Sequence, residues 1–300
     1  MSGDNKRLNE QFVKTVLDMK TNPRIRLKKS QYFVGLGANV NSQLYGKSVV
    51  SWAEDNKDVE LAQFLREKGG KSWELSKQER EDLSKKLIDA IKDKQTDEAK
   101  DLIRSGADLG YRDKDGNTIL MWLARYGELK IAGEYFDKLG YVNAKNDDGV
   151  SALMWASMNG HKKMVSYLID KKADVNDKDK YNNTALMEAS AKGYLDVVKE
   201  LILNNAKVND KSNQGLTALM GATIGGHEDV VKVLIVNGAD VCSVDNQGFS
   251  AKSYATFMNR EKLVKLLDAF SQKSYAEMVK EDKVKLESLS KLLKKIKGRD

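Results

Sequence analysis

The sequence is short of the residues that covalent and metal chemistry use. Its 300 residues include one cysteine, Cys242, and two histidines, His161 and His227. A lone cysteine forms no disulfide within the chain, so oxidative cross-linking contributes nothing to the fold. Both histidines stand in Gly-His pairs two repeats apart, at roughly 20 Å on the usual helix spacing, too far to share a metal. No phosphate-binding G-x-x-x-x-G-K-[ST] loop, nucleophile elbow or H-E-x-x-H is present. The expectation is therefore no enzyme, no catalytic residue, no metal, no cofactor and no small-molecule substrate. Pro23 is the only proline, which suits a mostly helical chain. No run of about 18 apolar residues exists, so no membrane span is expected. The polar start MSGDNKRLNEQ lacks a secretory apolar core, and the expected location is cytoplasmic.

Charge of one sign is scarce where a nucleic-acid face would need it. The net charge is +7. Residues 1–36 carry 8 basic and 3 acidic groups, and residues 271–300 carry 9 and 5. The middle is left at about −2. Basicity confined to the ends argues against a strand-tracking face, which needs lysines interleaved with aromatics. Phosphate contacts through the two ends are the weaker alternative.

What is present is a repeat. Thr118, Ser151, Thr184, Thr217 and Ser250 follow one another at intervals of 33. Gly116, Gly149, Gly215 and Gly248 run on the same comb, with Asn182 in the missing tooth. The segments read TILMWLA, SALMWAS, TALMEAS, TALMGAT and SAKSYAT. Thr or Ser opens a first helix as its N-cap. Leu120, Leu153, Leu186 and Leu219 point to the core. Ala156, Ala189, Ala222 and Ala255 keep that helix thin. Gly127, Gly160, Gly193 and Gly226 turn the chain into a second helix. Its apolar stripe reads Val165, Leu168, Ile169, then Val198, Leu201, Ile202, then Val231, Leu234, Ile235. An Asp-Gly or Gln-Gly turn follows.

These segments resemble the ankyrin repeat, whose signature is T-P-L-H-x-A within 33 residues. Alanine or Ile119 replaces the family's proline throughout. Proline there only pre-sets φ, so its loss leaves the fold intact. The T-A-L-M form points to a bacterial type. The resemblance implies an all-α fold, an ankyrin-repeat α-solenoid with short β-hairpin fingers, built here from eight units. Residues 1–36 read as N-terminal capping helices and 37–70 as a repeat with Ser48 at the cap and Ala53 in the core. Residues 71–80 are an insertion that includes Trp73, and 81–270 are further repeats. The Ser76–Glu79 spacing is that of a capping box, so the next helix should start early and run long. Residues 271–300 read as a C-terminal capping helix with a basic tail; docking of a partner or a membrane surface is the sharper alternative.

The resemblance also implies a partner protein held on the concave face, by a chain that is monomeric when free. The protein would be a scaffold or adaptor. An inhibitory or protective subunit that masks an enzyme's active site is the alternative. One position carries that expectation. The residue before the core alanine is Trp52, Asp89, Trp122, Trp155, Glu188, Gly221 and Tyr254 in successive units. Three of the four tryptophans share it. Tryptophan, tyrosine and arginine are the residues most enriched at interface hot spots. The expected partner-binding residues are Trp122, Arg125, Tyr126, Trp155, Met158, Tyr181, Glu188, Phe249, Tyr254 and Trp52. Packing of the tryptophans between neighbouring first helices is the competing reading. Cys242 reads as an ordinary finger residue.

Overall fold

A computed structural model describes residues 3–18, 20–44, 46–71 and 74–272. Trp73 and the segment from 273 onward, on which two of the expectations above fall, lie outside the described residues. Helices dominate the rest. In chain order they are α1 (Gly3–Leu17), α2 (Pro23–Gly35), α3 (Val49–Asp55), α4 (Val59–Glu67), α5 (Lys77–Lys92), α6 (Thr96–Arg104), α7 (Ile119–Tyr126), α8 (Leu129–Tyr135), α9 (Ala152–Met158), α10 (Lys162–Asp170), α11 (Ala185–Lys192), α12 (Leu195–Leu203), α13 (Ala218–Gly225), α14 (Glu228–Val236), α15 (Ala251–Phe257) and α16 (Glu261–Gln272). One antiparallel ladder pairs β1 (Gln43–Leu44) with β2 (Lys47–Ser48). The described residues fall into two compact units, one of residues 3–114 with 130–140, the other of 115–129 with 141–272.

In the first unit, Phe12, Val49, Val50, Leu61 and Leu65 form the centre of an apolar cluster. Its polar contacts include ion pairs between helices and an asparagine bridge, in which Asn41 Nδ2 donates to Gly69 O at 3.4 Å and Asn41 Oδ1 accepts the Lys71 N–H at 3.0 Å. Arg26 on α2 meets Asp58, the N-cap of α4, with Nε and Oδ2 3.1 Å apart and side chains only 4% and 7% exposed. Lys6 and Glu10 on α1 pair with Asp101 and Arg104 of α6 at 2.8 and 3.4 Å. Ser76 and Glu79 close the capping box in both directions. The helix behind it, α5, is 16 residues long. The insertion adds its backbone to the β1–β2 turn, where the Leu75 N–H donates to Gly46 O at 2.8 Å.

The second unit repeats one design. Thr118, Ser151, Thr184, Thr217 and Ser250 sit in extended backbone. Each hydroxyl accepts the N–H three residues on, at 3.2–3.4 Å. Each such cap stabilises its helix by about 1 kcal/mol. Leu120, Leu153, Leu186 and Leu219 are buried, and Ala156, Ala189, Ala222 and Ala255 have no exposed surface. The second-helix stripe differs from expectation in one place. Ile169 and Ile202 are only half-buried, whereas Met164 and Val197 are buried beside Val165 and Val198. The stripe is rotated by one residue toward the first helices; only in α14 is the isoleucine, Ile235, also buried.

Two side chains replace or require glycine. Asn182 holds φ +60°, the left-handed backbone its glycine counterparts adopt. Asparagine tolerates that region better than most residues. Gly193 has φ +78°, and a Cβ there would lie 2.4 Å from His227 Nδ1. The His227 ring packs on that bare backbone and its Nε2 meets Ala191 O at 3.1 Å. His161 Nε2 meets Arg125 O at 2.9 Å in the same way, 36 residues back. Both histidines are thus structural contacts between neighbouring repeats.

The fingers are tight turns closed by isolated bridges, such as Lys145–Ser151 and Val244–Ser250, rather than extended strands. They are joined to one another by backbone. The N–H groups of Asp147, Lys180, Asn213 and Asn246 donate to Asp115, Asp148, Tyr181 and Gln214 carbonyls at 2.8–3.1 Å. An asparagine joins repeats on the other side. Asn143, Asn176 and Asn209 each donate to a carbonyl of the next repeat and accept an N–H from it. Cys242 takes this place in the last finger, and it is exposed.

Candidate functional site

The thin first helices leave room on the finger side of the second unit for the residue before each core alanine. Trp122, Trp155, Glu188, Gly221 and Tyr254 are all partly exposed there, while the residue that follows each, Leu123 after Trp122 and alanine in the others, is buried. The 33-residue period places them at one register on α7, α9, α11, α13 and α15.

At one end the rings and a cation interlock. The Arg125 guanidinium carbon lies 4.4 Å from the centre of the Trp155 ring and 5.4 Å from that of Trp122. It is 6.0 Å from the Tyr126 ring. Tyr126 in turn stacks on Trp122, with centroids 6.1 Å apart and planes at 19°. Arg125 sits one helical turn after Trp122, so the pair meets along one face of α7. Trp155 reaches the same cation from the next repeat. Cation–π contact of this kind contributes from about 0.5 to 2 kcal/mol as it becomes desolvated. Asn117 and Met121 complete the lining of the small cleft between the two tryptophans. Among the described residues, the Arg125 side chain makes no hydrogen bond or ion pair.

Glu188 follows Trp155 by one repeat. Its carboxylate has no hydrogen bond or ion pair among the described residues. Burial pushes its pKa up, the Asp179 carboxylate adds to the rise, and Lys192 acts against it. Asp179 is itself occupied in the finger turn, where it accepts the Tyr181 and Asn183 N–H groups at 2.8 Å. The next stripe position, Gly221, has no side chain. A Cβ there would lie 3.4 Å from that of Ala191, so α13 comes close to α11 at this position.

At the far end, the Tyr254 hydroxyl donates to Asp245 Oδ2 at 2.5 Å. That bond pushes the Tyr254 pKa up to about 12 and holds the Asp245 carboxyl below its usual range. Phe249 lies 5.9 Å from the Tyr254 ring. Phe249 and Tyr181 are exposed on their fingers, with Lys180 over the Tyr181 ring at 5.2 Å. Met158 is half-buried at the end of α9.

Nine of the ten residues expected from the sequence therefore lie in the second unit. Trp52 belongs to the first, half-buried against the apolar cluster there. Asn117, Met121 and Asp179 were missed. Asn117 stands on the same 33-residue comb as Phe249, and that was the signal that could have found it. Its Oδ1 accepts from Asn146 Nδ2 at 2.8 Å, which fixes it at the cleft. No group of three or more metal-ligating side chains converges among the described residues, and no described helix is long and apolar enough to cross a membrane.

A family model described as ankyrin repeats in three copies matches residues 87–179, 137–212 and 186–274. Together the matches run from 87 to 274, more than half of the chain. No curated protein matches the sequence.

Proposed function

Since the chain belongs to the ankyrin-repeat family, whose repeats are generally modules of protein–protein interaction, we propose that it is a non-catalytic scaffold or adaptor and that it holds its protein partner on the first-helix and finger face of the second unit. The observation that carries this reading is the interlocked set Trp122, Arg125, Tyr126 and Trp155, partly exposed at a register where α11 and α13 carry only Glu188 and Gly221. Large rings held in place before binding lose little conformational freedom when a partner covers them. Met158, Tyr181, Phe249 and Tyr254 extend the surface. Trp52, packed on the other unit's core, is left out of it. The reading takes the free form as monomeric and cytoplasmic.

The test is a binding titration of a partner captured from cell lysate, using the intact chain and a Trp122→Ala/Trp155→Ala variant matched for its unfolding midpoint. Loss of more than about 2 kcal/mol, roughly 30-fold in Kd, is expected of residues at the centre of an interface. Equal affinity for both forms would remove the reading.

A further inference from the structure

On the partner-binding face proposed above, two charges of opposite sign stand ready for a partner, and we propose that this partner is an extended protein segment bearing a carboxylate side chain for Arg125 and a basic side chain for Glu188. The inference rests on the reading of that face as the binding surface and adds the partner's charge pattern to it.

Arg125 carries the first half. Its guanidinium carbon lies over the Trp155 and Trp122 rings, 4.4 and 5.4 Å from their centres. The N–H donors lie in the guanidinium plane and point outward from its edge. None of them is used within the described residues. An arginine in contact with two rings has less rotamer freedom left to lose, and its planar fork matches a carboxylate with two parallel hydrogen bonds. Trp122 and Trp155 thus act as an orienting clamp as well as an apolar surface.

Glu188 carries the second half. It is a partly buried carboxylate that, among the described residues, accepts no hydrogen bond and has the exposed Lys192, one turn on, as a nearby cation. Leaving a desolvated charge unpaired costs free energy in the unbound protein. A basic side chain lying over Gly221, where the register carries no side chain, meets that carboxylate together with Asp179. The two charges are therefore complementary to a segment that is acidic at one end and basic at the other.

Spacing makes the pattern specific. Arg125 and Glu188 lie on α7 and α11, separated by α9. Packed helices lie about 8–10 Å apart, so the two charges are roughly 20 Å apart. An extended strand rises about 3.3 Å per residue, so about six residues separate the acid from the base. An apolar residue between them passes over Trp155.

The experiment pans a phage library of random 12-residue peptides on the full chain, on Arg125→Glu, on Glu188→Lys and on Trp122→Ala/Trp155→Ala, each checked for an unchanged unfolding midpoint. Arg125→Gln and Glu188→Gln serve as milder variants if a swapped charge disturbs folding. The expected consensus on the intact chain is an acidic and a basic residue about six positions apart. Arg125→Glu should select a basic residue at the first place, and Glu188→Lys an acidic one at the second. Peptides chosen by the intact chain should bind Arg125→Gln or Glu188→Gln at least 10-fold more weakly. A consensus lost on the double tryptophan variant yet unchanged by either charge swap would overturn this inference and leave the binding face standing. Peptides that bind the double tryptophan variant undiminished, or no enrichment on the intact chain, would overturn both.

Discussion

In the second unit one asparagine makes the same two hydrogen bonds three times, at Asn143, Asn176 and Asn209. In the first unit the same asparagine bridge occurs once among the described residues, at Asn41, and the most enclosed polar contact is a buried ion pair, Arg26–Asp58. The repeated contacts are spread over many positions and include the ion pairs Lys145–Asp177 and Lys178–Asp210 as well as the neutral asparagine bridges. The buried pair of the first unit concentrates its consequence at two residues. Stability in a repeat array is close to a sum of similar nearest-neighbour terms. A surface built on such an array can change one residue per repeat without disturbing the rest. The second unit does this at Trp122, Trp155, Glu188, Gly221 and Tyr254, over a buried row of Leu123 and four alanines.

The largest effect expected from breaking this comparison is in the first unit. Arg26→Met leaves Asp58 as a buried charge and should cost about 3–5 kcal/mol in denaturant unfolding. Arg26→Met with Asp58→Asn keeps an N-cap on α4 and removes the stranded charge, so it should recover most of that loss. A single variant no worse than the double would show that the pair is not enclosed.

A smaller and more uniform effect belongs to the second unit. Asn143→Ala, Asn176→Ala and Asn209→Ala each remove two hydrogen bonds to the following repeat and should each cost about 1–2 kcal/mol. Similar unfolding free energies for all three would sharpen the contrast. Widely different values would mean that the repeats are not equivalent neighbours.

The smallest effect has the opposite sign. The folded-state pKa of Glu188 is raised, so ionisation is less favourable in the folded chain than in the unfolded one. The resulting cost is present above the folded pKa and disappears as pH falls below the unfolded value. Glu188→Gln should therefore stabilise the protein at pH 7, by about 0.5 kcal/mol. Unfolding midpoints followed from pH 7 to pH 3 should show the difference closing. A variant less stable than the parent at pH 7 would mean that the carboxylate has a partner in the folded chain.

The repeats were legible because every unit meets the same surroundings, so the caps, core leucines, thin alanines and the Asn182 turn all follow from the 33-residue comb. The stripe on α10 and α12 was legible only to within one residue. Val165–Leu168–Ile169 and Met164–Val165–Leu168 are both continuous apolar arcs, and packing against the first helices selects the second. The stripe position was visible, but its chemistry was not. Whether Trp122 and Trp155 enclose Arg125 depends on side-chain directions in two neighbouring helices. A pattern of single letters does not contain those directions. Trp52 shows the limit from the other side. It shares the register of Trp122, yet the apolar cluster of its own unit takes up its ring.

The most direct test of the account is a photo-crosslinking scan. A photoreactive side chain is placed in turn at Met158 and Tyr181 in the second unit and at Val59 and Gln63 in the first, and adducts with a captured partner are mapped by mass spectrometry. The account predicts adducts from Met158 and Tyr181 that disappear when Trp122→Ala/Trp155→Ala is added, and none from Val59 or Gln63. Adducts from the first-unit positions alone would contradict it.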